Sequence, residues 1–349
     1  MSRCRSTRAA IVLFASLASA SAARSDWPPS GLGVCTDAAD QTAPSMAPDG
    51  TGGAFIGWLD DRQPDDGVYM QRVSSGGEVA PGWPPNGLFI SQGSQPSLAA
   101  DGSGGAYVAW EDGSSIVLQR VTPSGGIATG WPDGGLVLAN IFPESELAVV
   151  VSDGYGGALV AWTRGASVSI RVQRVTGQAA LAPGWAPGGV TASAASGAFV
   201  PPALASDGAG GALVAWENGD IFAQRVGAGG SRAPGWPENG MVVCGAPGTQ
   251  RAARIAADGA GGAYVTWWDE RDFAVTGTDA YLARITGGGA VATGWPAGGL
   301  PACAMPGDQR VLRVAADETG VILFWSDRRT DPDGDVYALR LTDAAAVAP

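Results

Sequence analysis

The spacing of tryptophans constrains this chain more than any other feature. Trp58, Trp110, Trp162, Trp216, Trp267 and Trp325 form one series, and Trp27, Trp83, Trp131, Trp185, Trp236 and Trp295 form a second that interleaves with it. Together they take 12 of the 13 tryptophans, and successive members lie 48 to 59 residues apart. A period of this length exceeds the usual solenoid repeat and suits one four-stranded propeller blade.

Each repeat divides into four strand-like pieces. The first ends at Asp49, Asp101, Asp153, Asp207, Asp258 or Asp317, and a glycine-rich turn follows, as in Gly102-Ser103-Gly104-Gly105. Glycine supplies the positive φ that such hairpins need. The second piece is typified by Ala106-Tyr107-Val108-Ala109-Trp110, apolar on both faces. A strand of that kind is covered on both sides, as in sheets packed face to face around an axis. The third piece is typified by Ile116 to Val121, and the fourth, Gly135 to Leu138, follows a Gly-Trp-Pro turn. Proline and glycine punctuate every repeat and argue against helices.

These pieces predict an all-β chain, a six-bladed β-propeller with four antiparallel strands per blade, in one domain over residues 23–349. The blades are expected at 44–91, 96–139, 147–193, 201–244, 252–303 and 311–349. Repeat six stops before its Gly-Trp-Pro segment, and Trp27 to Cys35 is an orphan copy of that segment. Residues 27–35 are therefore expected as the fourth strand of the last blade. Closure of this kind removes exposed strand edges, whereas an open solenoid has no use for complementary half-repeats.

Arg3, Arg5 and Arg8 precede a short apolar run, Ala9 to Leu17, and small-x-small sites end at Ala20 and Ala22. Residues 1–22 read as a signal peptide; the run is too short for a spanning helix. The expected location is secreted or periplasmic. Lysine and histidine are absent, and the formal net charge is −12. Such an acidic chain repels nucleic acid and anionic lipid, so neither is expected as a partner. The absence of histidine removes His-based triads, imidazole acid–base catalysis and His-ligated zinc. The absence of lysine removes Schiff-base chemistry and the phosphate-loop lysine.

The run Asp-Gly-x-Gly-Gly-Ala-x-Val-x-Trp, then Gln-Arg-Val, then Gly-Trp-Pro-x-x-Gly, resembles the repeats of exported, uncharacterised bacterial propeller proteins, which are distantly similar to sialidase-like propellers. The resemblance covers about residues 27–349 and implies fold, because propellers host many unrelated activities. Sialidases carry Ser-x-Asp-x-Gly-x-x-Trp boxes. Here Asp101 and Trp110 are nine residues apart rather than five, so the boxes are absent.

A residue present in every blade reads as architecture. This covers Arg72, Arg120, Arg174, Arg225, Arg284 and Arg340, expected to cross-link strands or stack on tryptophan, and the first-strand aspartates, expected to accept turn N–H groups. Blade-specific residues are the candidates for a site. Trp-x-Asp-x-Arg occurs three times, as Asp60/Arg62, Asp269/Arg271 and Asp327/Arg329, each after its tryptophan. Cys-x5-Gln occurs in the loops leading into the same three blades, from Cys35 to Gln41, Cys244 to Gln250 and Cys303 to Gln309. Blades five, six and one are neighbours in a ring, and in the usual strand order both features lie on one face.

Two readings stand for this sector. In one, the glutamines and the Asp/Arg pairs brace each other. In the other, Asp60, Arg62, Asp269, Arg271, Asp327, Arg329, Gln41, Gln250 and Gln309 form a polar arc that binds a glycan or cell-surface polymer, or an extracellular protein. The cysteines share their position with Ser91, Ala139 and Ser193, a small buried slot, and are expected as free thiols. No catalytic residue, metal ligand or cofactor is assigned. Asp331-Pro332-Asp333-Gly334-Asp335 resembles a fragment of a calcium loop but lacks its further ligands and terminal Glu. The leading expectation is a non-catalytic, monomeric binding module. A sialidase-like glycoside hydrolase using paired carboxylates and a purely structural surface protein are the alternatives.

Overall fold

The computed structural model describes residues 27–64, 66–140, 148–164, 169–194, 201–317 and 319–347. The expected signal peptide and Asp65 lie outside them. The described residues form six consecutive antiparallel sheets. In blade 1, strands Gln41–Pro48, Ala54–Asp60, Gly67–Val73 and Leu88–Ser91 pair in sequence order. Blades 2 to 5 repeat this four-stranded arrangement, and blade 6 has three strands, Gln309–Asp317, Gly320–Asp327 and Asp335–Thr342. A single helical turn, Phe273–Thr276, interrupts the loop of blade 5. No helix among the described residues is long and apolar enough to cross a membrane.

The two apolar faces of each second strand separate the blades, as the alternation of side chains dictates. In blade 2, Ala106, Val108 and Trp110 pack toward blade 1, while Tyr107 and Ala109 pack toward blade 3. The same two-sided burial recurs through blade 5.

Polar staples repeat with the blades. Each first-strand aspartate takes its own turn's N–H groups, as Asp101 takes Ser103 and Gly105 at 2.7 and 2.8 Å. It also pairs with the third-strand arginine of its blade, as in Arg120–Asp101 at 2.7 Å and Arg225–Asp207 at 2.8 Å. That arginine reaches onward to a carbonyl of the next blade: Arg72 to Pro123, Arg120 to Gly177 and Arg225 to Gly287, each at 3.1 Å. The Gly-Trp-Pro indole donates to the same carbonyl, Trp83 to Pro123 at 2.9 Å and Trp236 to Gly287 at 3.0 Å. Arg72, Arg120 and Arg284 stack on Phe55, Tyr107 and Tyr264, and Arg174 stacks on Tyr155 of its turn. In blades 1, 2 and 5 the expected tryptophan stacking is thus replaced by stacking on the second strand's own aromatic, which sits directly across the sheet.

The blade 6 to blade 1 boundary differs. Trp27 stands to blade 1 as Trp83 stands to blade 2, its Nε1 donating to Ser75 O at 3.1 Å. Thr36 N donates to Asn86 Oδ1 at 3.0 Å. Residues 27–35 therefore occupy the place that a preceding blade's fourth strand takes against blade 1. They do not pair with Asp335–Thr342 among the described residues, so the expected fourth strand of blade 6 is not formed there. Burial marks the same boundary as open. Ile322 and Phe324 are 39% and 37% exposed, whereas their blade 2 equivalents, Tyr107 and Ala109, are at 0%. The back of blade 6 stands open, while Trp27 and Thr36 make their hydrogen bonds to blade 1.

Candidate functional site

The three Trp-x-Asp-x-Arg motifs build one repeated cluster. In blade 5, Trp267 Nε1 donates to Asp269 Oδ2 at 2.8 Å, Arg271 Nε donates to Oδ1 at 2.8 Å, and Arg271 Nη2 donates to Oδ2 at 2.6 Å. Cys244, from the preceding blade, lies 3.3 Å from Arg271 Nη2 and 3.8 Å from Asp269 Oδ2. The guanidinium covers the Tyr281 ring at 4.1 Å. Blade 1 repeats this with Asp60, Arg62, Cys35 and Tyr69, and blade 6 with Asp327, Arg329, Cys303 and Tyr337. All three cysteines are free thiols.

Asp60, Asp269 and Asp327 are buried, and no hydrogen bond or ion pair links the three clusters among the described residues. Each carboxylate is occupied by its own indole, its own arginine and a neighbouring thiol. The bracing therefore runs between blades through cysteine. The glutamines instead hold their own loops. Gln250 and Gln309 are buried, donating to Pro247 O at 3.3 Å and Met305 O at 2.9 Å, while Gln41 is exposed and folds onto Ala39 O. In blades 2 to 4, which lack the motif, Trp110, Trp162 and Trp216 keep buried indole N–H groups without an acceptor among the described residues. Turn length explains the difference. Blade 2 turns tightly between Glu111 and Ile116, so Asp112 serves the turn, accepting Ser114 N at 3.0 Å.

Arg62 holds the Asp60 carboxyl well below the usual range, against burial. Burial pushes Asp327 up, but Arg329 and Trp325 outweigh it and bring it down to about 2. Asp269 is lowered in the same way, by Arg271 and Trp267 against burial. An acid whose folded value lies below its unfolded one stabilises the fold above the unfolded value, and that contribution is lost as pH falls through the folded value. Burial raises Asp279, which acts in the opposite sense. The thermal midpoint is expected to hold steady from about pH 5 to 8, where no histidine titrates, and to fall steeply between about pH 4 and 2. A midpoint that stays level down to pH 2 in differential scanning calorimetry rules this out.

In the acidic turn, Asp331 Oδ1 accepts the N–H of Asp333 at 2.8 Å and Asp335 accepts the Thr330 hydroxyl at 2.9 Å. No metal-ligating group of three or more converges among the described residues.

A second arrangement emerges only once the sheets are packed. Four residues before each first-strand aspartate stand Ser45, Ser97, Val149, Ala203, Arg254 and Arg313. All six border the axial cavities, of about 370 and 400 Å3. Bulges shift the first strands of blades 1, 2, 5 and 6 just before this position. Ala43, Gln95 and Ala252 take left-handed φ of 47°, 57° and 55° there. A bulge re-aims a side chain and is common beside sites. A signal does exist in the sequence: the ring position is small or apolar in four blades and arginine in two adjacent ones. Its meaning stays hidden in the sequence, because only the packing of the six first strands shows that these positions border the same cavities.

Fold and channel together define a β-propeller. No family model matches the chain, and no curated protein matches it. Solved structures do match. Prolyl endopeptidase aligns with 89% of this chain and 41% of its own length, at 12% identity and a TM-score of 0.51. A protein of unknown function from Dyadobacter fermentans aligns over 88% of this chain and 96% of its own, at 8% identity and a TM-score of 0.48. The subtype N10 neuraminidase-like protein of A/little yellow-shouldered bat/Guatemala aligns over 93% and 97%, at 10% identity and a TM-score of 0.47. At such identities the likeness is one of fold.

Proposed function

We propose that this chain is an exported, non-catalytic binding module that takes a segment of a glycan or cell-surface polymer at the mouth of its central channel. The observation that carries the reading is the pair Arg254 and Arg313 at equivalent, channel-facing positions of blades 5 and 6. They concentrate positive charge in a chain of net charge −12. Burial holds Arg254 below the usual arginine range, and the neighbouring charge of Arg313 adds to this. Two like charges kept together in a concave surface favour an anionic or strongly hydrogen-bonding ligand. The site falls in the sector of blades 5, 6 and 1 but uses the arginines of first strands rather than the sealed Asp/Arg clusters.

This favours binding over hydrolysis. A general acid needs a carboxyl raised toward neutrality and open to substrate, whereas Asp60, Asp269 and Asp327 are lowered and occupied and Asp279, raised by burial, is sealed from the surface. On a glycan array, the mature protein is expected to bind, and Arg254→Gln/Arg313→Gln to lose about 100-fold in affinity, at about tenfold for each charge-assisted contact. Retained binding by a folded double variant refutes the reading.

A further inference from the structure

Resting on the glycan reading and narrowing it, we propose that the ligand is a polyuronate, one of whose acidic sugars enters the cavity between blades 4 and 5. That cavity measures about 250 Å3 and is lined by Trp216, Glu217, Arg251, Arg254 and Trp268, with Pro201 on the axial side. It lies below the roughly 300–1,000 Å3 of drug-sized sites and suits a single sugar ring.

Three independent features meet there. Arg251 and Arg254 are three residues apart, so a regular strand would send them to opposite faces. The bulge at Ala252 breaks the alternation, and both border the cavity. Trp268 is the tryptophan outside both series, and Leu59, Glu111, Thr163, Glu217 and Ser326 take its place in the other blades. Its Nε1 donates to Val311 O at 3.1 Å and the Arg310 guanidinium covers one ring face at 5.3 Å, which fixes the indole as a cavity wall and leaves the opposite face for a ligand. Glu217 accepts the N–H of Ala252 and so stands beside the two arginines as a fixed acceptor.

Each feature matches one part of a uronate. A planar guanidinium pairs with a carboxylate through two parallel hydrogen bonds. A rigid indole gives the apolar face of a sugar ring a platform. A fixed carboxylate accepts from ring hydroxyls. Two arginines against one glutamate leave the cavity positive, so the sugar's own charge is neutralised rather than repelled.

The test is calorimetric titration of the mature protein with galacturonate oligosaccharides, the same oligosaccharides with carboxyls reduced to alcohols, and dextran sulfate. Uronates are expected to bind, with reduction costing at least about 30-fold and Arg251→Gln and Trp268→Ala about tenfold each. Circular dichroism confirms that each variant is folded. Equal binding of the reduced oligosaccharides overturns the uronate assignment and leaves the glycan reading standing. Dextran sulfate binding as tightly, with no effect of Trp268→Ala, also overturns it, because any polyanion then suffices. Silence toward every saccharide here and on the array refutes the glycan reading itself.

Discussion

Asp269→Ala is expected to destabilise the protein by about 3 kcal/mol, the low end of what breaking a buried ion pair costs. The low end applies because Arg271 keeps 20% of its side chain exposed. Three losses combine. Arg271 loses its counter-charge, Trp267 Nε1 loses its acceptor at 2.8 Å, and Cys244 loses the neighbour that locks blade 4 onto blade 5. Asp269→Asn keeps one acceptor oxygen but turns an NH2 toward the N–H donors on the other side, because both carboxylate oxygens accept from such groups, and it is expected to recover only part of the loss. Asp112→Ala, at the matching position of blade 2, is the control. Its carboxylate serves an exposed turn, so the change is expected to stay within about 0.5 kcal/mol. Urea unfolding followed by tryptophan fluorescence gives all three midpoints. If Asp269→Ala and Asp112→Ala shift the midpoint equally, the cluster is not an inter-blade lock.

The second large effect concerns the open edge of blade 6. In blade 1 the third and fourth strands pair Val68 with Ser91, Tyr69 with Phe89 and Met70 with Leu88. Blade 2 repeats this with Ile116 and Ala139, Val117 and Val137, and Leu118 and Leu136. Carried onto blade 6, the register sets Val336 opposite Cys35, Tyr337 opposite Gly33 and Ala338 opposite Leu32. Val336→Cys is therefore expected to form a disulfide with Cys35 under mild oxidation, joining residues 27–35 to the third strand. Directly opposed strand positions fall within the span a disulfide needs. The cross-link closes a loop of nearly the whole chain, for a stabilisation on the order of 5 kcal/mol in the chain-entropy account. Closure also brings Arg340 to the Ser75 carbonyl, as Arg72 meets Pro123. Non-reducing electrophoresis and thiol counting read the result. A monomer without the two thiols means that the chain closes its own ring. A covalent dimer means that the strand is supplied by a second copy, and two free thiols mean that the register does not extend to blade 6.

Much of this architecture was legible because repetition carries it. Six copies of a strand apolar on both faces require six sheets packed face to face, and no local propensity competes with that demand. The pairing of first-strand aspartate with third-strand arginine was half legible. Both are recognisable as structural, yet only the sheet shows that Arg120 sits where Asp101 turns. The cysteines are free thiols in a small slot, as their shared position with serine and alanine suggests, but their partnership with the next blade's Asp/Arg pair needed the packing of two sheets.

Read without a structure, the chain yields the fold class and an acidic chemistry without histidine or lysine. These follow from period, alternation and composition, which are properties of a chain read in one dimension. Packing settled which blade-specific residues border the channel, because the ring position exists only when six first strands come together, and a one-residue bulge turns Arg251 onto the face of Arg254. It also decided that Asp60, Asp269 and Asp327 are buried braces, since burial is set by neighbouring sheets rather than by a residue's own strand. It decided, finally, that residues 27–35 grip blade 1, where the Trp27 indole finds the Ser75 carbonyl.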